Sequence, residues 1–96
     1  MLERFTPDTF APHVETTFRV QVDAGRAVEI KLIRVEDFGS TPTRVHFSLQ
    51  FRGPLDSFLQ QQIYSLEHAA LGTIDLFLVP IAREASGYMY EAVFNN

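Results

Sequence analysis

The chain has 96 residues, with 8 basic against 12 acidic side chains for a formal charge of −4, and it contains neither cysteine nor tryptophan. That length specifies one domain, residues 1–96, and the composition excludes disulfides, thiolate metal sites and cysteine nucleophiles. The basic residues are scattered, which argues against nucleic acid. No apolar run is long enough to span a bilayer and none follows Met1-Leu2-Glu3-Arg4, so the expectation is a cytoplasmic protein without membrane contact.

In chain order, Phe5-Thr6-Pro7-Asp8-Thr9-Phe10 reads as a helix start. Thr6 suits the N-cap, Pro7 the first helical position and Asp8 the positive end of the dipole. Phe5 and Phe10 are placed to form a hydrophobic staple. One short helix over about residues 7–12 is expected, docked on the body of the domain by its phenylalanines. A first strand runs from Val14 to Val22, and Asp23-Ala24-Gly25-Arg26 makes a hairpin turn. The second strand opens with Val28, Ile30 and Leu32 on one face. Its phase then jumps to Ile33 and Val35, which predicts a β-bulge near Leu32-Ile33. Glu36 to Thr43 is a loop interrupted by Gly39 and Pro42.

The clearest element follows. From Arg44 to Arg52 the residues alternate without a fault: Val45, Phe47, Leu49 and Phe51 on one side, Arg44, His46, Ser48, Gln50 and Arg52 on the other. A period of two over that length is a half-buried strand. Gly53-Pro54 ends it, and residues 55–61 connect it to a fourth strand, Gln62 to His68, with Tyr64 and Leu66 inward. Thr73 to Ile81 is the fifth strand. Its run from Ile74 to Val79 is apolar on both faces beyond Asp75, which predicts a central position or a covering helix, with Pro80 marking its end or an edge position. Residues 83–87 form a hairpin loop, and Tyr88 to Phe94 is the last strand. The spacing leaves no room for βαβ units. The expected fold is all-β: a six-stranded antiparallel meander curled into a small barrel or sandwich, with one short N-terminal helix.

Phe47-Ser48-Leu49-Gln50-Phe51-Arg52-Gly53-Pro54 resembles an uncharacterised family of small bacterial domains. Phe5-Thr6-Pro7, Leu66-Glu67-His68, Phe77-Leu78-Val79-Pro80 and Tyr90-Glu91-Ala92-Val93-Phe94-Asn95 carry the same resemblance, which covers nearly the whole chain. The sequence departs from the family pattern at Gln62, in place of a glycine, and at Ala69, in place of a proline. No catalytic residues transfer with the resemblance. Relatives look to be encoded near tail-collar-type proteins of phage-like assemblies, which implies a structural or accessory role by association.

The candidate surface is the polar row of the central strand, Arg44, His46, Gln50 and Arg52, joined by Tyr88 and Tyr90 of the last strand. Guanidinium, imidazole and amide groups in one row can meet carboxylates or backbone of a protein partner, and tyrosine is favoured at contacts. The plainer readings are a solvated outer face for the row and core packing for the tyrosines, Phe94 included. His13, His46 and His68 lack the short spacings of a metal site, and no serine sits in a nucleophile signature. His68, before a turn, is expected to cap local backbone, and Gln61 to tie the 53–61 connection to a neighbouring strand. The expected function is a non-catalytic structural or accessory protein–protein interaction module, of a phage-tail-like assembly as the resemblance implies. It is expected to use no cofactor and to be a monomer or a weak homo-oligomer through an edge strand. The alternatives are a small-ligand-binding barrel, with a void lined by Phe47, Leu49, Phe51 and Phe77, and a small enzyme.

Overall fold

A computed structural model of the chain describes residues 5–95. Its strands are β1 (Thr17–Asp23), β2 (Arg26–Asp37), β3 (His46–Gly53), β4 (Gln62–His68), β5 (Gly72–Glu84) and β6 (Gly87–Asn95). Ahead of them, helix α1 (Pro7–Phe10) runs into a single 3-10 turn (Ala11–His13). All pairings are antiparallel, and the strands close into a barrel in the order β1-β2-β3-β6-β5-β4, with β4 pairing back to β1. The ring decides between barrel and sandwich. It also refines the meander: β1-β2-β3 and β4-β5-β6 are two three-stranded meanders, joined by the 54–61 connection across one mouth of the barrel.

Alternation does most of the folding. Phe47, Leu49 and Phe51 of β3 point inward and are fully buried, as are Phe18 and Val20 of β1, Leu66 of β4 and Leu78 of β5. Burying each such side chain is worth about 1.5–3 kcal/mol. Phe18 meets Phe51 edge-on at 5.3 Å, and Phe47 stacks on Phe94 at 4.5 Å. Where alternation breaks, the backbone bulges. The β2–β3 register passes from Leu32↔Phe51 to Arg34↔Gln50, leaving Ile33 as the extra residue and turning Val35 toward Leu49. This is the bulge the phase jump predicts.

Three boundaries differ from expectation. β1 begins at Thr17, because Glu15 takes a positive φ of 74° and the Glu15 N–H donates to the Leu32 carbonyl. β3 begins at His46, because Arg44 is held in a turn in which its N–H donates to Thr41 Oγ1 and its carbonyl accepts the Thr41 N–H. β5 does not stop at Ile81 but continues to Glu84. The register shifts from Pro80↔Tyr90 to Ala82↔Met89, so a bulge at Ile81 absorbs the missing donor. β5 also changes neighbours, pairing with β4 through Leu78 and with β6 from Val79 onward.

Each mouth is stoppered by the chain itself. At one, Thr6 donates its N–H to Thr9 Oγ1 at 3.0 Å, and Phe5 and Phe10 lie 5.5 Å apart as the staple requires. Phe10 then packs on Phe47 and Phe94. The helix therefore closes an end and packs along β2, rather than covering β5 as the apolar run there suggests. At the other mouth, buried Leu59 donates its N–H to the Tyr90 hydroxyl at 2.9 Å. A close corner lies nearby: a Cβ on Gly87, whose φ is 151°, would press into the Gly53 carbonyl oxygen and the Arg52 side chain, so this hairpin admits only glycine there.

Candidate functional site

The polar row does not survive as one surface. Arg44 lies outside β3 in its turn, and His46 is exposed beside Phe38, with ring centroids 5.1 Å apart. Ser48 is fully buried, although it faces outward, because its register partners Glu36 and Val93 crowd it from both sides. Its Oγ has no hydrogen-bond partner among the described residues. Gln50 and Arg52 are half-buried between Arg34 and Glu91, and between Lys31 and Met89.

Tyr88 and Tyr90 cannot join that row. The β3–β6 register sets Phe51 against Tyr90 and Gly53 against Tyr88, so both tyrosines belong to the inward face. Tyr90 is fully buried, its hydroxyl taken by Leu59, and burial pushes its pKa up. Its placement as a contact residue is corrected: it is core. Tyr88 is half-buried, packed edge-on against Phe58 at 5.0 Å, with the Arg83 guanidinium 5.9 Å from its ring centre. The supposed void lining is corrected too. Phe47, Leu49 and Phe51 fill the barrel, whereas Phe77 stands on the outside at 49% exposure, so the four do not face a common space.

The histidines separate. His68 sits under the N-terminal segment, 8% exposed, its ring against Phe18 and 4.7 Å from that of His13. Its Nδ1 accepts the N–H groups of Ala70 and Leu71 at 3.0 and 3.2 Å, which is the backbone cap expected of it. Two donors at Nδ1 leave the ring proton on Nε2, which donates to Thr16 Oγ1 at 2.9 Å, and that hydroxyl donates to the His13 carbonyl. Burial, with His13 adding to it, holds the His68 pKa below its ordinary value. No serine hydroxyl among the described residues bonds a histidine ring nitrogen, Ser40 Oγ instead accepting the His46 backbone N–H, and no three potential metal ligands converge there. Gln61 is exposed. The connection is tied instead by Leu59 and by Gln60, whose carbonyl accepts the Tyr64 hydroxyl at 2.7 Å.

A cleft of about 290 Å³ opens between the start of α1 and the 37–45 loop, lined by Thr6, Pro7, Asp8, Asp37, Ser40 and Val45 among others. Asp37 shapes it: its Oδ1 accepts the N–H groups of Ser40 and Gly39, and these bonds hold its pKa below the usual carboxylate value. The carboxylate is thus committed to the turn.

The feature that the sequence reading passed over is on the β4–β5 wall. Ile63 and Phe77 are register partners on the outer face, 67% and 49% exposed. Val79, on the same side of β5, is half-buried. Where β4 and β5 pair, the charged residues facing outward are acidic, Glu67 and Asp75. The signal was present: with Tyr64 and Leu66 inward, Ile63 has to point out, and so does Phe77 between Leu76 and Leu78. Large apolar side chains side by side in water are the usual mark of a protein contact.

The chain belongs to the family described as Domain of unknown function (DUF6916), which matches residues 5–94. No curated protein and no solved structure matches it.

Proposed function

We propose that this domain is a non-catalytic protein–protein interaction module that docks through the outer face of the β4–β5 hairpin. The observation that carries this reading is the exposed register pair Ile63 and Phe77. A barrel packed with its own aromatic rings puts its recognition chemistry on its walls, and an apolar centre within a polar rim is the form contact sites take. The resemblance seen in the sequence supports an accessory place in a phage-tail-like assembly, and the cysteine-free composition supports a reducing compartment such as the cytoplasm.

The test is comparative capture from native lysate with the wild type and with an Ile63→Ser, Phe77→Ser variant. The expected result is a defined protein retained by the wild type and lost by the variant, at matched melting temperature. Equal capture by both proteins refutes the assignment of this face.

A further inference from the structure

The two halves of the ring differ in charge. Residues 17–53, which build β1, β2 and β3, carry six basic and four acidic side chains; residues 54–95, which build β4, β5 and β6, carry one basic and five acidic. The ring order makes this difference spatial. In a six-stranded ring each strand faces the one three places on, so β5 lies opposite β2 and β4 opposite β3. One wall presents Ile63 and Phe77 with Glu67 and Asp75; Glu67 lies 3.9 Å from Arg19 of β1, and Asp75 is in no ion pair among the described residues. The opposite wall presents Lys31, Arg34 and Arg52 around Gln50, together with Glu29 and Glu36. Lys31 and Arg34 have acidic neighbours, Glu15 at 3.7 Å and Glu36 at 3.1 Å; Arg52 is in no ion pair among the described residues.

From this we infer that the occupant of the β4–β5 face is a second copy of this chain, docked head to tail, with the apolar, acid-rimmed wall of one molecule on the basic wall of the next. The inference rests on the proposed contact role of that face. Arginine fits it: the aliphatic stem covers an apolar ring while the guanidinium meets a carboxylate. A symmetric pairing of two β4–β5 faces instead brings Asp75 and Glu67 toward their own copies, a like-charge arrangement. Because the two walls are opposed, head-to-tail contacts leave a free wall at each end and propagate rather than stop at a dimer.

The experiment is sedimentation and light scattering of the purified chain over a concentration series at low and high salt. The expected result is a mass that rises above 10.9 kDa with concentration, by about twofold or more, and falls back as salt screens the contact. Two charge-reversed proteins decide the arrangement: Asp75→Lys, and Arg34→Glu with Arg52→Glu. Each alone is expected to stay monomeric, since its reversed wall no longer complements the other. An equimolar mixture is expected to associate, because each wall again meets its opposite. Melting curves confirm that the variants are folded. Association that survives in the Arg34→Glu, Arg52→Glu protein but is lost with Phe77→Ser overturns the head-to-tail arrangement in favour of a symmetric pair. A wild type that stays monomeric throughout overturns self-association altogether. That result leaves the β4–β5 face open to a different protein, which the lysate comparison detects separately.

Discussion

Protonation of His68 should unlatch the N-terminal segment from the barrel. The ring is neutral in the fold because Nδ1 accepts two backbone N–H groups, from Ala70 and Leu71. A proton placed on Nδ1 faces both donors and turns two hydrogen bonds into repulsions. The groups packed around the ring offer no relief: Phe18 of β1 is apolar, Thr16 is already engaged through Nε2, and His13 of the 3-10 turn opposes a positive charge on the ring. The folded pKa therefore lies below the ordinary 6.5 of the unfolded chain, and the unfolded state binds the extra proton. Stability is fully present above pH 6.5 and is lost as pH falls below it, down to the folded value.

One excess proton gives a slope of at most about 1.4 kcal/mol per pH unit, so acidification to about pH 5 removes up to about 2 kcal/mol. For a domain of this size that ceiling corresponds to a fall in Tm of at most about 8–16 °C. Melting curves between pH 8 and 5 measure it. The control is His68→Asn, whose side-chain oxygen can still accept from Ala70 and Leu71 but cannot take a proton in this range. The variant is expected to be less stable at pH 8, having lost the Thr16 bond, yet to show a much flatter profile toward pH 5. A wild-type Tm that is level across this range, or a variant that keeps the wild-type slope, refutes the latch. The Asp37 carboxylate, held below 3.8, acts in a separate window: its contribution persists above that value and is lost as pH falls through its lower folded pKa.

Two further outcomes follow from hydrogen-bond accounting. Tyr90→Phe strips the buried Leu59 N–H of its acceptor and should cost about 1–3 kcal/mol in urea unfolding, with faster amide exchange in the 54–61 connection; a loss well under that range means another acceptor takes its place. Ser48→Ala removes a buried hydroxyl without a partner among the described residues and should stabilise the domain by about 1 kcal/mol, so a loss of stability shows that the hydroxyl has a partner after all.

Local features of the fold were legible because each is decided by a few neighbours in sequence. The alternation of residues 45–51 specifies a strand in any context, the phase jump at Leu32-Ile33 needs an extra residue wherever it occurs, and Phe5 with Phe10 marks a staple. What depended on register was not legible. Whether Tyr88 and Tyr90 share a face with Arg52 or with Phe51 is set by the β3–β6 pairing, and that pairing requires knowing that β6, rather than β4, lies beside β3. Hairpin signals give sequential neighbours only, and the 54–61 connection carries no mark of crossing the barrel. Ser48 is a similar case: alternation rightly turned it outward, but its burial comes from Glu36 and Val93, on two other strands.

The same geometry leaves the wall as the free surface of the barrel. Both mouths are occupied by the chain's own segments, Phe10 at one and Leu59 at the other, and the Tyr90 hydroxyl is taken up in that closure. On the wall, Arg19 lies near Glu67, Lys31 near Glu15 and Arg34 near Glu36, arrangements that water tolerates and that add little to stability. Ile63 and Phe77 differ. Alternation requires only that something point outward at these positions, and threonine or lysine would keep the strand and leave the core untouched. The fold does not call for large apolar side chains there, and side by side they oppose solubility. A contact that covers them accounts for what the barrel alone leaves without a cause.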